Sequence, residues 1–157
     1  MELARLAGLP FFQGMPQWAL LRLAEAAAEQ ELPAGGMVLR QGDRARAVRF
    51  LLAGSVQVLL RVGEEDLLVA VLRRPGELLG WSAFRAPYRY TASVRAEEPS
   101  RLLRLPTAAF EELFARDPAL AYQTLQRVAA SVTNRLEQAR LRLFLPPGHG
   151  VPEEGAG

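Results

Sequence analysis

The chain has 157 residues, which suits one domain that buries about two thirds of its unfolded surface and folds without covalent staples. It contains no cysteine, so disulfides, thiolate metal sites and cysteine nucleophiles are excluded. All nineteen basic residues are arginine, and against seventeen acidic residues they leave a net charge of only +2, which does not indicate nucleic-acid binding. No apolar run approaches the roughly 18 residues that span a bilayer, and no signal peptide is visible, so we expect a cytoplasmic protein without a membrane partner.

The first thirty residues have helical spacing. From Gln17 to Gln30, apolar residues recur every three or four positions, and Pro16 suits the first turn of a helix. These apolar positions are Trp18, Leu20, Leu21, Leu23, Ala24, Ala27 and Ala28. We therefore predict helical structure within residues 1–30.

The pattern changes between Glu31 and Pro106 to short apolar runs that are separated by turn residues. The runs are Met37 to Arg40, Val48 to Leu52, Ser55 to Val62 and Asp66 to Leu72. A spacing of roughly 8–12 residues with glycine-containing turns indicates an antiparallel sandwich or barrel. We place this barrel at residues 31–106.

The stretch from Pro75 to Ala96 has the features of an anion-binding loop. A short apolar run ends at Gly80, where the backbone can turn tightly into a helical segment from Trp81 to Phe84. The alternation from Tyr90 to Ala96 then predicts a strand. Free amide groups at the start of the short helix, with a hydroxyl and an arginine on the next strand, would form an anion site.

Two helices are predicted after the barrel, over residues 107–143. Asp117 and Pro118 suit the N-cap and first turn of the longer helix, which we expect to reach about Leu143. Its apolar residues alternate by three and four as in a heptad seam, and they are Tyr122, Leu125, Ala129, Val132, Leu136, Ala139 and Leu143. The seam either packs on its own barrel or forms a parallel dimer. We favour the dimer, although Arg135 would then face Arg140 of the partner subunit unfavourably.

The remaining residues offer no catalytic machinery. Prolines and glycines predict a flexible tail over residues 144–157, and the single histidine, His149, lies in this tail. No Ser–His–Asp set or phosphate-binding glycine loop can be assembled, and acidic pairs such as Glu64 and Glu65 lie at turns. An enzyme is therefore not predicted.

Several short motifs, in their order along the chain, resemble the cyclic nucleotide-binding domain of Crp/Fnr-type regulators. They are Leu9-Pro10-Phe11-Phe12, Pro33-Ala34-Gly35, Gln41-Gly42-Asp43, Phe50 to Val56 and Pro75 to Gly80. The resemblance covers about residues 5–143 and implies a mainly β fold with flanking helices. It implies an eight-stranded jelly-roll barrel, N-terminal helices and a long C-terminal helix that usually forms the dimer interface. We therefore expect a cyclic nucleotide-binding-like domain over residues 1–143, in which residues Gly76 to Ala96 would be the phosphate-binding cassette, called the cassette below.

The cassette departs from the family pattern at the two positions that hold a cyclic nucleotide. The resemblance implies a glutamate after the glycine, for the ribose hydroxyl, and an arginine four residues before the strand valine, for the cyclic phosphate. Here Trp81 follows Gly80, and Tyr90 lies four residues before Val94. Loss of two charge-assisted bonds lowers affinity by about two to four orders of magnitude. The two rings either fill the cavity, which we favour, or form an aromatic platform for another ligand.

Other cassette residues keep part of the pattern. The candidate ligand-binding residues are Gly80, Trp81, Ser82, Ala83, Arg89, Tyr90 and Thr91. Thr91 matches the small or hydroxyl residue that follows the family's arginine, and Ser82 and Ala83 offer backbone amides. Arg89 is one residue out of register, so on a regular strand it points to the other face unless a bulge brings it back.

The sequence thus predicts a non-enzymatic regulatory or sensor domain that binds no cofactor and does not hold cyclic AMP by the usual contacts. One alternative is a working cyclic AMP or cyclic GMP sensor, the effector part of a regulator, in which Arg89 replaces the missing arginine. Another is a structural interaction module without a ligand. The expected partners are a second copy of the chain and a small-molecule effector or a protein. Only 14 residues follow Leu143, with three prolines and four glycines, so no helix-turn-helix and no direct DNA binding are expected.

Overall fold

Within residues 1–144, eight strands form two antiparallel sheets of four strands each, which enclose one apolar core. The computed structural model describes residues 1–144. The strands are β1 (Ala28–Leu32), β2 (Met37–Leu39), β3 (Ala47–Ala53), β4 (Val56–Val62), β5 (Glu65–Leu72), β6 (Leu78–Leu79), β7 (Ser93–Ala96) and β8 (Ser100–Pro106). One sheet has the order β1-β8-β3-β6 and the other the order β2-β7-β4-β5. The predicted mainly β jelly-roll fold with flanking helices is confirmed.

Helices precede and follow the strands. They are α1 (Leu3–Ala7), α2 (Gln17–Ala26), α3 (Thr107–Arg116) and α4 (Pro118–Phe144), with 3-10 helices at Pro10–Phe12 and Trp81–Phe84. Both α2 and α3 contact β8 and each other, so helices cover one face of this strand while the other face lies on the core between the sheets. As a result Leu102 and Leu103, which are adjacent and point to opposite faces, are both fully buried.

The predicted helix from Gln17 to Gln30 is wrong at its C-terminal end. The helix ends at Ala26, and Ala28–Leu32 form strand β1, which pairs with β8 in antiparallel register along its whole length. This pairing satisfies the backbone groups on the open side of β8, and it outweighs the helix propensity of the alanines and glutamates in the segment. The barrel therefore begins at residue 28 rather than 31.

The predicted strand from Tyr90 to Ala96 is also too long, because β7 begins at Ser93. Tyr90 pairs instead with the turn after β2: its N–H donates to the carbonyl of Asp43 at 3.0 Å, and its carbonyl accepts from the N–H of Gly42 at 2.8 Å. The predicted runs for β2 to β5 agree with the structure to within one residue at either end.

Helix α4 begins as predicted and carries an N-cap. Oδ1 of Asp117 accepts hydrogen bonds from the N–H groups of Ala119 at 3.1 Å and Leu120 at 3.3 Å. The helix ends at Phe144, one residue beyond the predicted end. Its buried side consists of Leu120, Thr124, Val128 and Arg135.

The predicted tail, 144–157, lies outside the described residues except for Phe144, and so does His149. Within residues 1–144, no helix is both long enough and apolar enough to cross a bilayer.

Gly54 joins β3 to β4 at a position that only glycine fits. It has a φ of +95°, and a Cβ there would lie 2.3 Å from Oγ of Ser100 and 2.7 Å from the carbonyl oxygen of Pro99. Gly42 has a similar φ of +87°, but no atom lies within 4 Å of its Cβ position. The two glycines therefore share the backbone constraint and differ in the available space.

We predict that Gly54→Ala lowers the free energy of unfolding by about 2–4 kcal/mol, because strain at positive φ adds to overpacking. The control Gly42→Ala carries only the backbone cost and should lower it by about 1 kcal/mol. Urea denaturation followed by circular dichroism measures both values. Equal losses for the two variants would contradict the prediction.

Candidate functional site

The cassette begins with a turn that is hydrogen-bonded to β3. The N–H of Gly76 donates to the carbonyl of Leu51 at 2.7 Å, and the N–H of Leu51 donates to the carbonyl of Glu77 at 3.0 Å. Gly80 then takes a φ of +78° and opens the 3-10 helix Trp81–Phe84. The predicted tight turn into a short helical segment is therefore confirmed, and it lies directly against the barrel.

Tyr90 packs inside the cassette. Its side chain is only 8% exposed, and its hydroxyl donates to the carbonyl of Ala47 at 2.8 Å and accepts from Nη1 of Arg49 at 3.1 Å. Nε of Arg49 in turn donates to Oε1 of Gln30 at 3.1 Å. The ring Cε1 lies 3.0 Å from the position that a Cβ on Gly80 would take, so the ring rests on the glycine backbone. The ring of Tyr90 is thus packed away from solvent, and its hydroxyl has both a donor and an acceptor partner.

Arg135 reaches the cassette from helix α4. Its guanidinium lies 4.9 Å from the centroid of the Trp81 ring, and its Nη2 donates to the carbonyl of Leu78 at 3.1 Å. The residue is 9% exposed. Burial lowers the pKa of Arg135 to about 10, an effect that the negative charge of Glu77 partly opposes, so the group remains protonated at neutral pH. A cation on α4 therefore lies over the ring of the first residue of the short helix.

The space left in the cassette is small. A cavity of about 40 Å³ lies between Trp81, Tyr90 and Arg135. One water molecule needs a cavity of about 10–15 Å³, so this cavity has room for a few waters. Sites for small organic ligands are typically roughly 300–1,000 Å³.

The structure brings most of the candidate ligand-binding residues together. Gly80, Trp81, Ser82, Tyr90 and Thr91 all border the cassette cavity.

Two candidates lie elsewhere. Ala83 is buried in the apolar core, and Arg89 is exposed, with its Nη1 donating to the carbonyl of Gly42 at 2.9 Å. The backbone of Arg89 forms an isolated bridge to Arg44 rather than part of β7. Its guanidinium is therefore held on the outer surface, next to the turn that follows β2.

The apolar seam of α4 faces away from the barrel. Tyr122 is 65% exposed and Leu136 49% exposed, and Leu125, Ala129, Val132 and Leu143 are exposed as well, whereas Ala139 is half-buried. The alternative in which this stripe packs on its own barrel is therefore wrong. The expectation that Arg135 faces Arg140 of the partner subunit is also wrong, because Arg135 is buried against the cassette.

Arg135 is the residue that sequence reasoning missed. A signal for it exists, since Thr124, Val128 and Arg135 follow at intervals of four and seven and so share one side of the helix. The heptad assignment considered only the more apolar seam, which is about 100° away around the helix axis. A charged residue in line with buried positions was the available clue.

The described residues hold no group of three or more histidine, aspartate or glutamate side chains that could bind a metal ion. The residues that border the cassette cavity include no histidine or carboxylate. What the site offers a ligand is aromatic faces, hydroxyl groups, backbone amides and one guanidinium.

Comparison with known proteins gives a family match for most of the barrel. The family model of the cyclic nucleotide-binding domain matches residues 29–117. A protein of Rhodopseudomonas palustris described as a potassium channel is 28% identical over 122 residues, which is 78% of this chain. The match spans only 29% of that relative's own length, so the chain corresponds to one part of it.

Two solved structures are similar over most of the chain. A protein of Geobacter metallireducens GS-15 described as a cyclic nucleotide-binding protein shares 28% identity with a TM-score of 0.77, covering 87% of this chain and 98% of that one. The catabolite activator protein of Thermus thermophilus shares 27% identity with a TM-score of 0.65, covering 85% of this chain and 61% of that one.

We predict that Tyr90→Phe lowers the free energy of unfolding by about 1–3 kcal/mol, because the carbonyl of Ala47 and a donor of Arg49 lose their partner inside the protein. Tyr88→Phe is the matched control, since Tyr88 is 45% exposed, and it should change the value by less than about 0.5 kcal/mol. Thermal denaturation of both variants measures the difference. A loss for Tyr90→Phe no larger than that of the control would show that the hydroxyl contacts do not hold the ring in place.

Proposed function

The chain belongs to the cyclic nucleotide-binding domain family, and from that membership we propose that it is a regulatory domain whose cassette does not bind cyclic AMP or cyclic GMP. Residues 1–143 would form this domain. Its input would be another small molecule or a protein partner. Its output would pass through helix α4, which contacts the cassette on one side and carries the solvent-facing seam on another.

The observation that carries the proposal is the position of Tyr90. Its ring occupies the interior at the place where the family pattern puts the arginine for the cyclic phosphate, and its hydroxyl is fixed to β3 by Ala47 and Arg49. A cyclic nucleotide would have to expel a buried ring and break both hydrogen bonds. The remaining cavity of about 40 Å³ is too small for it otherwise.

Trp81 supports the same interpretation. The family glutamate at this position would accept hydrogen bonds from a ribose, whereas an indole has only one N–H donor and an apolar face. That face is covered by Arg135. The alternative of a working sensor requires Arg89 to reach the phosphate, but Arg89 is exposed and bonded to the carbonyl of Gly42.

The proposal includes no enzymatic step and no direct contact with DNA. The residues around the cassette cavity lack a carboxylate or histidine that could act as a general acid or base. The net charge of +2 gives no general attraction to nucleic acid.

We predict that calorimetric titration of the protein with cyclic AMP or cyclic GMP shows no binding tighter than about 1 mM, because two charge-assisted contacts are missing and the cavity is filled. Micromolar binding that Arg89→Ala abolishes would overturn the proposal in favour of the working sensor. Micromolar binding that survives Arg89→Ala would equally contradict a closed cassette.

The double variant Trp81→Glu/Tyr90→Arg provides the positive control. It returns an acid and a cation to the two family positions, and removal of the rings opens the cavity. We expect its affinity for cyclic AMP to exceed that of the unchanged protein by about two to four orders of magnitude, provided that circular dichroism shows the native fold.

We propose further that the domain is a homodimer through the seam of α4. Support comes from the solvent exposure of an apolar stripe that runs from Tyr122 to Leu143, since exposed contiguous apolar surface commonly marks an interface. The periodicity of three and four suits a parallel pair of helices. Arg135 does not oppose this pairing, because it is turned toward the cassette.

The dimer can be tested with two matched leucines. Leu136 lies in the seam, whereas Leu141 is 39% exposed but lies outside the seam on the same helix. We predict that Leu136→Glu weakens dimerisation at least about tenfold and that Leu141→Glu has little effect, because only the first charge would be buried in the interface. Sedimentation velocity from about 1 to 100 μM distinguishes the two. A monomeric unchanged protein at the highest concentration would refute the dimer.

A further inference from the structure

A second and larger cavity lies beside Arg135, between α4, the turn Pro75–Leu78 and the 3-10 helix Pro10–Phe12. We call it the α4 cleft. Its volume is about 420 Å³, against about 40 Å³ for the cassette cavity. Two of its walls are in contact, since a Cβ on Gly76 would lie 2.9 Å from Cδ of Pro10. A cavity of this size and shape accommodates a small organic molecule.

The cleft carries a net positive charge. Three arginines and one glutamate line it. Arg127 is already engaged, because it donates to the backbone carbonyls of Phe11 and Gln13 and so anchors one wall of the cleft. Glu77, the one carboxylate, is the charge that opposes the pKa shift of Arg135. The formal charges of Arg127 and Arg135 together exceed that of Glu77, which favours an anion over a cation.

Arg135 borders the cleft as well as the cassette cavity, and it has spare hydrogen-bonding capacity. A guanidinium has five N–H donors, and the described contacts of Arg135 are one hydrogen bond, to the carbonyl of Leu78, and the stacking on Trp81. A buried cation with so few acceptors is unusual, because burial removes its water. An anionic oxygen in the cleft would supply the missing acceptors.

Gln138 adds a second unsatisfied group on the same wall. Its Oε1 is buried and has no hydrogen-bond partner among the described residues. Gln138 lies one turn beyond Asn134 on α4, and both line the cleft. Rotation of this amide would turn its Oε1 to the cleft, where a ligand that carries a hydroxyl or N–H group beside its anionic group would satisfy Gln138 and Arg135 together.

We propose that the α4 cleft binds a small organic anion, namely a carboxylate or phosphate ester with an apolar portion. Its anionic oxygens would bond to Arg135, a donor group would bond to Gln138, and its apolar portion would lie against Pro10 and Pro75. A single buried guanidinium binds the oxygens of a carboxylate and of a phosphate ester in the same way, so the proposal covers both types of anion. The proposal goes beyond the regulatory assignment of the cassette and requires neither a closed cassette nor a dimer.

The α4 cleft and the seam lie on different sides of the helix, so a ligand and a second subunit can bind at the same time. With about 100° per residue, the cleft residues Arg127, Asn134 and Gln138 lie on the side of α4 opposite to Leu136. The buried side, which includes Arg135, lies between them. A ligand in the cleft would therefore contact the guanidinium that also covers Trp81, without blocking the seam.

The test uses the 157-residue chain, with the indole groups of its two tryptophans as NMR reporters. Phenyl phosphate and benzoate are the anionic probes, and benzyl alcohol is the neutral probe of similar shape. The indole N–H resonance of Trp81 reports on Arg135 by NMR, whereas that of Trp18, whose ring is covered by Arg116 with 4.4 Å between the guanidinium carbon and the ring centroid, is the internal reference. We expect saturable shifts at Trp81 with at least one anion, with a dissociation constant on the order of 1 mM, and none at Trp18.

Variants identify the site. Arg135→Gln should weaken binding about tenfold to a hundredfold, as loss of a charge-assisted contact does, and Arg116→Gln should leave it within about twofold. Ala130→Phe narrows the cleft without touching Arg135 and should also abolish binding, so the proposal stays testable if Arg135→Gln does not fold. Absence of saturable shifts up to about 10 mM, equal shifts with benzyl alcohol, or unchanged affinity in Ala130→Phe would overturn it. The cyclic nucleotide titrations described above would stand in any of these cases.

Discussion

The two hydrogen bonds of the Tyr90 hydroxyl hold its ring inside the cassette. A buried tyrosine is stable only if its hydroxyl is hydrogen-bonded, and here the carbonyl of Ala47 and the guanidinium of Arg49 provide both partners. Both partners lie on β3, which pairs with β8 on one side and β6 on the other. The ring is therefore fixed to a central strand, and a ligand that displaced it would leave two polar groups without partners at a cost of about 1–3 kcal/mol each.

Arg135 and Trp81 depend on each other in a similar way. A guanidinium that is 9% exposed and makes one hydrogen bond is costly unless its surroundings compensate, and the Trp81 face and the charge of Glu77 do so in part. A glutamate in place of Trp81 would offer Arg135 an ion pair instead of a flat apolar surface. The tryptophan thus has two effects: it narrows the cassette, and it gives α4 a contact with the barrel that needs no ligand.

Local sequence patterns predict those elements whose structure depends on residues close together in the chain. The turn at Gly80, the N-cap at Asp117 and the runs for β2 to β5 follow from glycine conformation, side-chain capping and alternation. The presence of β1 could not be predicted in this way, because it exists only as the partner of β8 about 70 positions later. The burial of Arg135 likewise arises from contacts of α4 with β6 and the short helix more than 50 residues earlier. Periodicity puts Arg135 in line with Thr124 and Val128, but it does not show what covers that side of the helix.

The two cavities differ in the room that they leave for a ligand. In the cassette, Tyr90, Trp81 and Arg135 border a cavity of about 40 Å³, so a ligand larger than a few waters would have to displace at least one of these side chains. The α4 cleft is about ten times larger than the cassette cavity, and Arg135 is the one residue that lines both. Because Arg135 borders both cavities, an anion bound to its guanidinium in the cleft would change the contact of this group with Trp81. The helix that carries the seam would then respond to a ligand that never enters the barrel.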